Sequence, residues 1–127
     1  MMEEQIFTQL EKPHVVALCL HGNLTRHEDT QVEAIVDEVL DKGHRYFVMD
    51  FDGVGFIDSA GIGLIIKLAS AIEKQQGTLR LCNPQSNVHN VFNMLGIESR
   101  FHIYPRLGRA LQSIGHLLSV EFINFKF

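Results

Sequence analysis

The chain of 127 residues has the length of one domain and the composition of an ordinary globular protein. Hydrophobic residues make up 46% of it and charged residues 20%, which excludes a disordered chain. Its 11 Lys and Arg residues against 15 Asp and Glu residues give a net charge of −4. Because no block of basic residues occurs either, nucleic acid is not expected as a partner.

The sequence contains no signal for membrane insertion or secretion. The longest apolar stretch, Ala60–Ile72, is interrupted by Lys67 and is too short to span a bilayer. The first residues, Met1–Glu4, lack the basic start and the apolar run of a signal peptide. Cys19 and Cys82 each lie in an apolar run, which favours reduced core thiols over a disulfide. These observations indicate a cytoplasmic protein with no membrane association.

Strands and helices are predicted to alternate from residue 15 onward. In chain order, the predicted strands are Gln5–Leu10, Val15–Leu20, Arg45–Phe51, Thr78–Cys82 and Phe101–Tyr104. Apolar residues at helical spacing predict four helices, over Val32–Leu40, Ile62–Ile72, Val88–Leu95 and Leu107–Leu118. The alternation implies right-handed crossovers between parallel strands. The expected fold class is therefore α/β, a single domain with a mixed, mostly parallel sheet of four to five strands and four helices.

Glycine and proline positions agree with these boundaries. Gly43, Gly77 and Gly96 each follow a predicted helix, where a left-handed residue is favoured. Asn83 and Pro84 offer a helix cap followed by proline at the first helical position.

The most informative segment follows the apolar Arg45–Phe51 strand. A glycine-containing turn is predicted there, after which Asp58 and Ser59 open an apolar helix. A serine at a helix N-terminus lies beside unpaired backbone N–H groups, which would accommodate a phosphate. The simpler interpretation is that Asp58 or Ser59 only caps the helix. Dinucleotide, phosphate-loop and nucleophile-elbow motifs all fail here, because the required glycines or lysine are absent.

No metal site, cofactor site or catalytic group is predicted. The seven histidines are scattered, and none forms the His-x-x-x-His pair that places two ligands on one helix face. No serine, histidine and acid combination is identifiable by spacing alone. The sequence therefore favours a protein that is not an enzyme.

Residues 56–63, Phe-Ile-Asp-Ser-Ala-Gly-Ile-Gly, resemble the signature that ends the third strand and opens the second helix of STAS domains. STAS domains are the sulfate-transporter and anti-sigma-factor-antagonist family. His21–Leu24 is similar to the Gly-x-Leu turn of that family. The Leu79–Leu81 strand, the Asn83-Pro84 turn and the segment Val91–Ile97 are similar to its closing half.

The resemblance implies a binding switch of the bacterial anti-sigma factor antagonist type. In that type, a serine kinase of the histidine-kinase-like ATPase family, itself the anti-sigma factor, phosphorylates the motif serine. The unmodified antagonist sequesters the anti-sigma factor and so frees the sigma factor, and a serine phosphatase restores it. Carried over, the phosphorylated residue is Ser59 and the adjacent acidic residue is Asp58. Gly61 and Gly63 would let the partner approach the helix start.

The expected partner-binding surface consists of the turn after the second strand, the glycine loop and the helix start. Its residues are Asn23, Thr25, Gly53, Gly55, Asp58, Ser59, Gly61 and Gly63. Many antagonists carry an acidic residue where this chain has Thr25. Phe56 and Ile57 are expected in the core, so the contact is assigned to polar and glycine positions.

An alternative function is a STAS subunit of a membrane lipid or organic-solvent ABC transport complex. The retained Asp58-Ser59 pair favours the antagonist, because a purely structural subunit need not keep an acceptor serine.

The resemblance covers residues 4–118 and leaves an apolar C-terminal tail, residues 119–127, unexplained. Three of the nine phenylalanines lie in its last six positions, at Phe122, Phe125 and Phe127. Their spacing fits either a helix face or a strand. The tail is expected either to fold back on its own domain or to pack on a second copy and form a homodimer.

Overall fold

The computed structural model describes residues 14–25 and 31–127, which form five strands and five helices. The strands are β1 (His14–Leu24), β2 (Tyr46–Ile57), β3 (Thr78–Cys82), β4 (Ile103–Tyr104) and β5 (Ser119–Lys126). The helices are α1 (Gln31–Asp41), α2 (Ser59–Lys74), α3 (Ser86–Met94), α4 (Ile97–Arg100) and α5 (Leu107–Ile114). The predicted strand Gln5–Leu10 lies outside the described residues.

The described strands form one sheet in the order β4-β3-β2-β1-β5, with every neighbouring pair parallel. The chain steps from β1 to β4 in one direction and then returns to the other edge as β5. Right-handed crossovers in one direction place their helices on one face, and the reversed crossover places its helix on the opposite face. Accordingly, α1 to α4 lie on one face and α5 on the other. The predicted α/β class with a mostly parallel sheet is confirmed, with every described pair parallel and a fifth, short helix beyond the four predicted.

Two hydrophobic clusters hold the helices against the sheet. The larger one packs α1 to α4 on the sheet and includes Phe51 and Phe92, whose rings meet edge to face at 5.3 Å. The smaller one packs Ala110 of α5 against Val15 and Val48. Because β2 contributes to both clusters, it is apolar on both faces, as a covered central strand must be.

Several boundaries differ from those predicted. The predicted turn after Phe51 is part of β2, which continues to Ile57 because β1 extends beside it to Leu24. Two bulges in β2 accommodate this pairing, one between Asp50 and Gly53 and one at Gly55, where β2 has one residue more than β1. The fourth predicted helix ends at Ile114, and the short helix α4 precedes a β4 of only two residues.

Two predicted helix-end signals are wrong. The N-cap of α3 is Gln85, whereas the Asn83 amide donates to the Asp50 carboxylate at 3.1 Å and its own backbone is left-handed at φ 59°. After α2 the left-handed residue is Gln76 and not Gly77. Gly77 is required for another reason, because a Cβ there would lie 2.7 Å from the carbonyl oxygen of Arg45. Gly43 and Gly96 do have positive φ, as predicted.

The C-terminal tail is a strand of its own sheet. Residues 119–126 pair in parallel with residues 14–21 of β1. Phe125 is 3% exposed and belongs to the larger core cluster, whereas Phe122 on the opposite face is 56% exposed. Of the two arrangements considered for the tail, the structure shows the one in which it packs on its own domain.

Both cysteines are free thiols, as predicted. Burial raises the pKa of Cys82 to about 12, and burial also raises the pKa of Cys19. Both groups are therefore poor nucleophiles at neutral pH. No helix within residues 14–25 and 31–127 is long and apolar enough to cross a membrane.

Candidate functional site

The candidate site lies where β1 and β2 end and α2 begins. The pairing of β1 with β2 places Asn23 opposite Phe56 and Leu24 opposite Ile57. The backbone N–H of Asp58 then donates to the carbonyl of Leu24 at 3.4 Å. The expected turn, loop and helix start are thus adjacent at the carboxyl edge of the sheet, where sites of open α/β sheets collect.

Asp58 is the N-cap of α2. Its backbone is extended, with φ −124° and ψ −170°, and its Oδ1 accepts from the N–H groups of Ala60 at 2.9 Å and Gly61 at 3.1 Å. The capping interpretation is therefore correct for Asp58. Two of the N–H groups expected to receive a phosphate, those of Ala60 and Gly61, are therefore already occupied by the Asp58 carboxylate.

Ser59 is the first residue of α2, and its side chain is exposed. Since Asp58 does the capping, the Ser59 hydroxyl is not needed for the helix and makes no hydrogen bond with any described residue. Gly63 lies one turn later on the same side of the helix and is half-buried. The structure thus presents a free hydroxyl at the helix start.

Two of the expected contact glycines serve packing inside the domain. Gly61 is buried, and a Cβ there would lie 2.1 Å from the carbonyl oxygen of Leu24. A Cβ at Gly53 would lie 2.3 Å from Nδ1 of His21. Gly55, in contrast, is exposed, and its nearest neighbour would be the Asn23 side chain at 3.7 Å.

The start of α3 holds the end of β2 in place. Gln85 donates through Nε2 to the carbonyl of Asp52 at 2.8 Å, and Asn87 donates through Nδ2 to the carbonyl of Gly55. The backbone N–H of Asp52 donates to the Asp50 carboxylate at 3.0 Å. Asp50, Asp52 and Asp58 together make this edge of the sheet acidic.

Phe56 is a member of this surface that the sequence interpretation missed. Its side chain is 50% exposed, whereas Ile57 beside it is 1% exposed and lies in the core. The expectation that both are core residues is wrong for Phe56. Its cross-strand partner is the exposed Asn23, and this pair lies beyond the predicted strand ends Leu20 and Phe51, so no local pattern indicated it. Thr25 is half-buried at the rim.

The C-terminus braces the end of β1 next to the site. The backbone N–H of Phe127 donates to the carbonyl of His21 at 2.8 Å, and His21 Nε2 lies 3.1 Å from Oδ1 of Asn124. Gly22 has φ 104°, and a Cβ there would lie 2.6 Å from the Phe127 carbonyl oxygen. A residue with a side chain would be strained at Gly22 and would push the tail away.

Comparison with known protein families gives a match over most of the chain. The model of the STAS domain family matches residues 8–110. A Bordetella bronchiseptica protein named anti-sigma factor antagonist BtrV is 33% identical over 85 residues, covering 67% of this chain and 73% of that protein. The anti-sigma F factor antagonist of Paenibacillus polymyxa is 26% identical over 110 residues, covering 84% of this chain and 94% of that protein.

Solved structures share the fold. The anti-sigma factor antagonist SpoIIAA in its unphosphorylated form matches with a TM-score of 0.68 at 23% identity, over 83% of this chain and 91% of that one. The STAS domain of the SulP transporter from Vibrio cholerae matches with a TM-score of 0.66 at 16% identity, over 89% and 92%. At these identities the likeness shows the fold alone, and antagonists and transporter domains share it.

Proposed function

The chain belongs to the STAS domain family, and from this premise we propose that it is an anti-sigma factor antagonist switched by phosphorylation of Ser59. The partner is an anti-sigma factor that is also a serine kinase of the histidine-kinase-like ATPase family. A serine phosphatase reverses the modification. The relatives named as anti-sigma factor antagonists support this role over a subunit of an ABC transport complex. The role requires no reaction catalysed by this chain and places it in the cytoplasm.

The proposal rests on the different roles of Asp58 and Ser59. Asp58 binds the N–H groups of Ala60 and Gly61 and so caps α2, and the hydroxyl of Ser59 is exposed and unbonded within the described residues. A kinase can reach that oxygen without unfolding the helix or breaking the cap. SpoIIAA, which shares this fold, is known in a phosphorylated form.

Electrostatics explain how a phosphate at Ser59 would act. It adds about −1.5 to −2 charge at pH 7, next to the carboxylate of Asp58. Because Asp58 already occupies the N–H groups of Ala60 and Gly61, the phosphate cannot bind them without displacing that carboxylate, and we expect it to remain at the surface. We expect the fold to stay unchanged and the surface charge to become strongly negative.

The proposed binding surface combines a polar rim with one apolar side chain. Asn23, Gly55, Ser59 and Gly63 contribute the accessible positions, and Phe56 adds an exposed aromatic ring. Aromatic side chains commonly contribute much of the free energy of binding at protein interfaces. An unpaired dianion desolvated at the centre of this surface costs more than about 2 kcal/mol, which is about a thirtyfold loss of affinity.

The test is phosphorylation by the anti-sigma factor kinase encoded in the same genome, followed by peptide mass spectrometry. Ser86 gives a matched control, since it is an exposed serine at the first position of α3. Labelling is expected to disappear in Ser59→Ala and to persist in Ser86→Ala. Calorimetric titration with the unmodified and phosphorylated chains should show the loss of affinity. Phosphate on another residue, or continued labelling of Ser59→Ala, would refute the proposal.

Binding through Phe56 is tested separately. Phe56→Ala should weaken the complex while leaving the melting temperature almost unchanged, because half of this side chain already contacts water. Phe122→Ala removes an aromatic ring of similar exposure on β5 and serves as the control. If Phe56→Ala binds the anti-sigma factor as tightly as the control Phe122→Ala does, Phe56 does not belong to the interface.

A further inference from the structure

The segment between Glu98 and Glu121 differs in charge from the rest of the chain. It contains three arginines, two histidines and no acidic residue, although the whole chain has 15 acidic residues against 11 Lys and Arg. Two of its arginines, Arg106 and Arg109, lie at the start of α5 and are exposed. Within the part of the chain that the structure describes, neither forms an ion pair.

Helix α5 separates apolar and basic side chains onto opposite faces. Its inner face packs on the smaller core cluster through Leu107, Ala110, Leu111 and Ile114. The outward positions, all exposed, are Arg106, Arg109, Gln112, Ser113 and the following His116. We call these five residues the α5 surface. Burial of the inner face fixes the helix, so the outward guanidinium groups are not required for packing.

The α5 surface is concave and contains further hydrogen-bond donors. Two shallow depressions lie side by side on it, and Arg106, Arg109 and Gln112 line both. A third guanidinium joins them from β3, where Nε of Arg80 donates to Oγ of Ser113 at 3.3 Å. Carboxylates are the natural partners of guanidinium groups, which bind them through two parallel hydrogen bonds.

We propose that the α5 surface is a docking site for an acidic segment of a partner protein. It lies on the face of the sheet opposite to α2, since α5 packs with the smaller cluster and α2 with the larger one. Binding there leaves the hydroxyl of Ser59 uncovered. This interface is therefore separate from the proposed phosphorylation switch, and both can be occupied at once.

Two other occupants fit less well. A second copy could offer the acidic outer face of α1, where Asp37, Glu38 and Asp41 are exposed. Such a contact joins two different surfaces, so it would build rings or open chains of molecules and could not form a symmetric dimer. Nucleic acid presents a phosphate at every nucleotide along its length, whereas the α5 surface offers two unpaired guanidinium groups on a chain of net charge −4. A short acidic protein segment needs only the few carboxylates that these groups can bind.

The test is a titration of the full ¹⁵N-labelled chain with a synthetic glutamate-rich peptide, followed by NMR chemical shifts. Shifts should be confined to Arg80 and residues 100–117 and should weaken steeply as salt is added, because exposed charges are screened. The double variant Arg106→Glu, Arg109→Glu should bind about tenfold more weakly, as expected for the loss of two exposed ion pairs. The control Lys42→Glu, Lys74→Glu has the same net charge and should bind like the wild type.

Four outcomes would overturn the proposal. The first is a peptide affinity that the arginine variant leaves unchanged, and the second is an equal loss in the lysine control. The third is self-association of the wild-type chain that the arginine variant abolishes, since a second copy then occupies the surface. The fourth is tighter binding of a DNA duplex than of the peptide. Because Ser59→Ala should bind the peptide normally, failure here is distinguishable from failure of the phosphorylation switch.

Discussion

Substituting alanine at Gly61 and at Gly108 should change stability in opposite directions, although both are helical glycines. Alanine stabilises a helix by about 0.5–1 kcal/mol relative to glycine. At Gly108 in α5 a Cβ would meet nothing within 4 Å, so that gain should appear in full or in large part. At Gly61 in α2 the Cβ would lie 2.1 Å from the Leu24 carbonyl oxygen and 2.7 Å from Cγ1 of Ile57.

The magnitude at Gly61 follows from the distance that the structure must open. Cβ atoms are essentially never found closer than 3.0 Å to such neighbours, so the helix start must move from β1 by almost 1 Å. Overpacking of this kind costs about 1–3 kcal/mol, which exceeds the gain in helix propensity. Gly61→Ala should therefore be less stable than the wild type by about 1–2 kcal/mol. Because the same shift moves Ser59, the affinity of the Gly61→Ala variant for the anti-sigma factor should also fall.

Urea unfolding of both variants at equal protein concentration measures these free energies, with the slope m checked for constancy. The midpoint of Gly61→Ala should fall and that of Gly108→Ala should rise. A rise at both positions would mean that the contact between α2 and Leu24 is not as close as described. A fall at both would mean that helix propensity does not decide the outcome at Gly108.

Three further changes have expected outcomes. Phe125→Ala should lower the free energy of unfolding in urea by about 3–5 kcal/mol, and Phe122→Ala should lower it by well under half of that, because only Phe125 is buried. Equal losses would contradict the placement of β5. Asp58→Ala should lower the free energy of unfolding by about 1 kcal/mol through the lost helix cap, whereas Asp58→Asn should retain most of it, because an amide oxygen can still accept the two hydrogen bonds. Equal melting temperatures of the two variants would refute the capping role. Desolvation, followed by the nearby His14, lowers the pKa of His44 in the folded chain. The unfolded chain therefore binds this proton at higher pH, and the free energy of unfolding should decrease as pH falls below about 6.5. If His44→Gln leaves the pH dependence of the melting temperature unchanged, this explanation is contradicted.

Helical periodicity predicted the helices that matter for the site. The apolar spacing over Val32–Leu40 and Ile62–Ile72 gave α1 and α2 with ends displaced by only a few residues. These helices bury an apolar stripe on one sheet face, so a repeat of 3.6 residues is visible in the sequence. The motif at the helix start predicts Ser59 as the acceptor, and the structure shows this residue exposed beside the capping Asp58.

Features that depend on tertiary pairing could not be predicted in this way. Glycines at positions 53 and 55 suggested a turn, but β1 supplies hydrogen-bonding partners that keep β2 extended to Ile57. Asn83 looked like a cap because its local signal is strong, yet its side chain binds Asp50 on the neighbouring strand. Likewise, the outward orientation of Phe56 follows from its register with Asn23, which no local pattern contains.

The cap formed by Asp58 limits how the proposed phosphorylation of Ser59 could act. A phosphate that captured free N–H groups of α2 would reorganise the helix start and act through a change of conformation. Here Oδ1 of Asp58 already holds the N–H groups of Ala60 and Gly61, and displacing it would only exchange one anion for another. When Ser59 is phosphorylated as we propose, we expect the added charge to act outward, on the protein that covers Ser59. We then expect release of the partner to depend on desolvation and repulsion at the interface, with the domain itself rigid in both states.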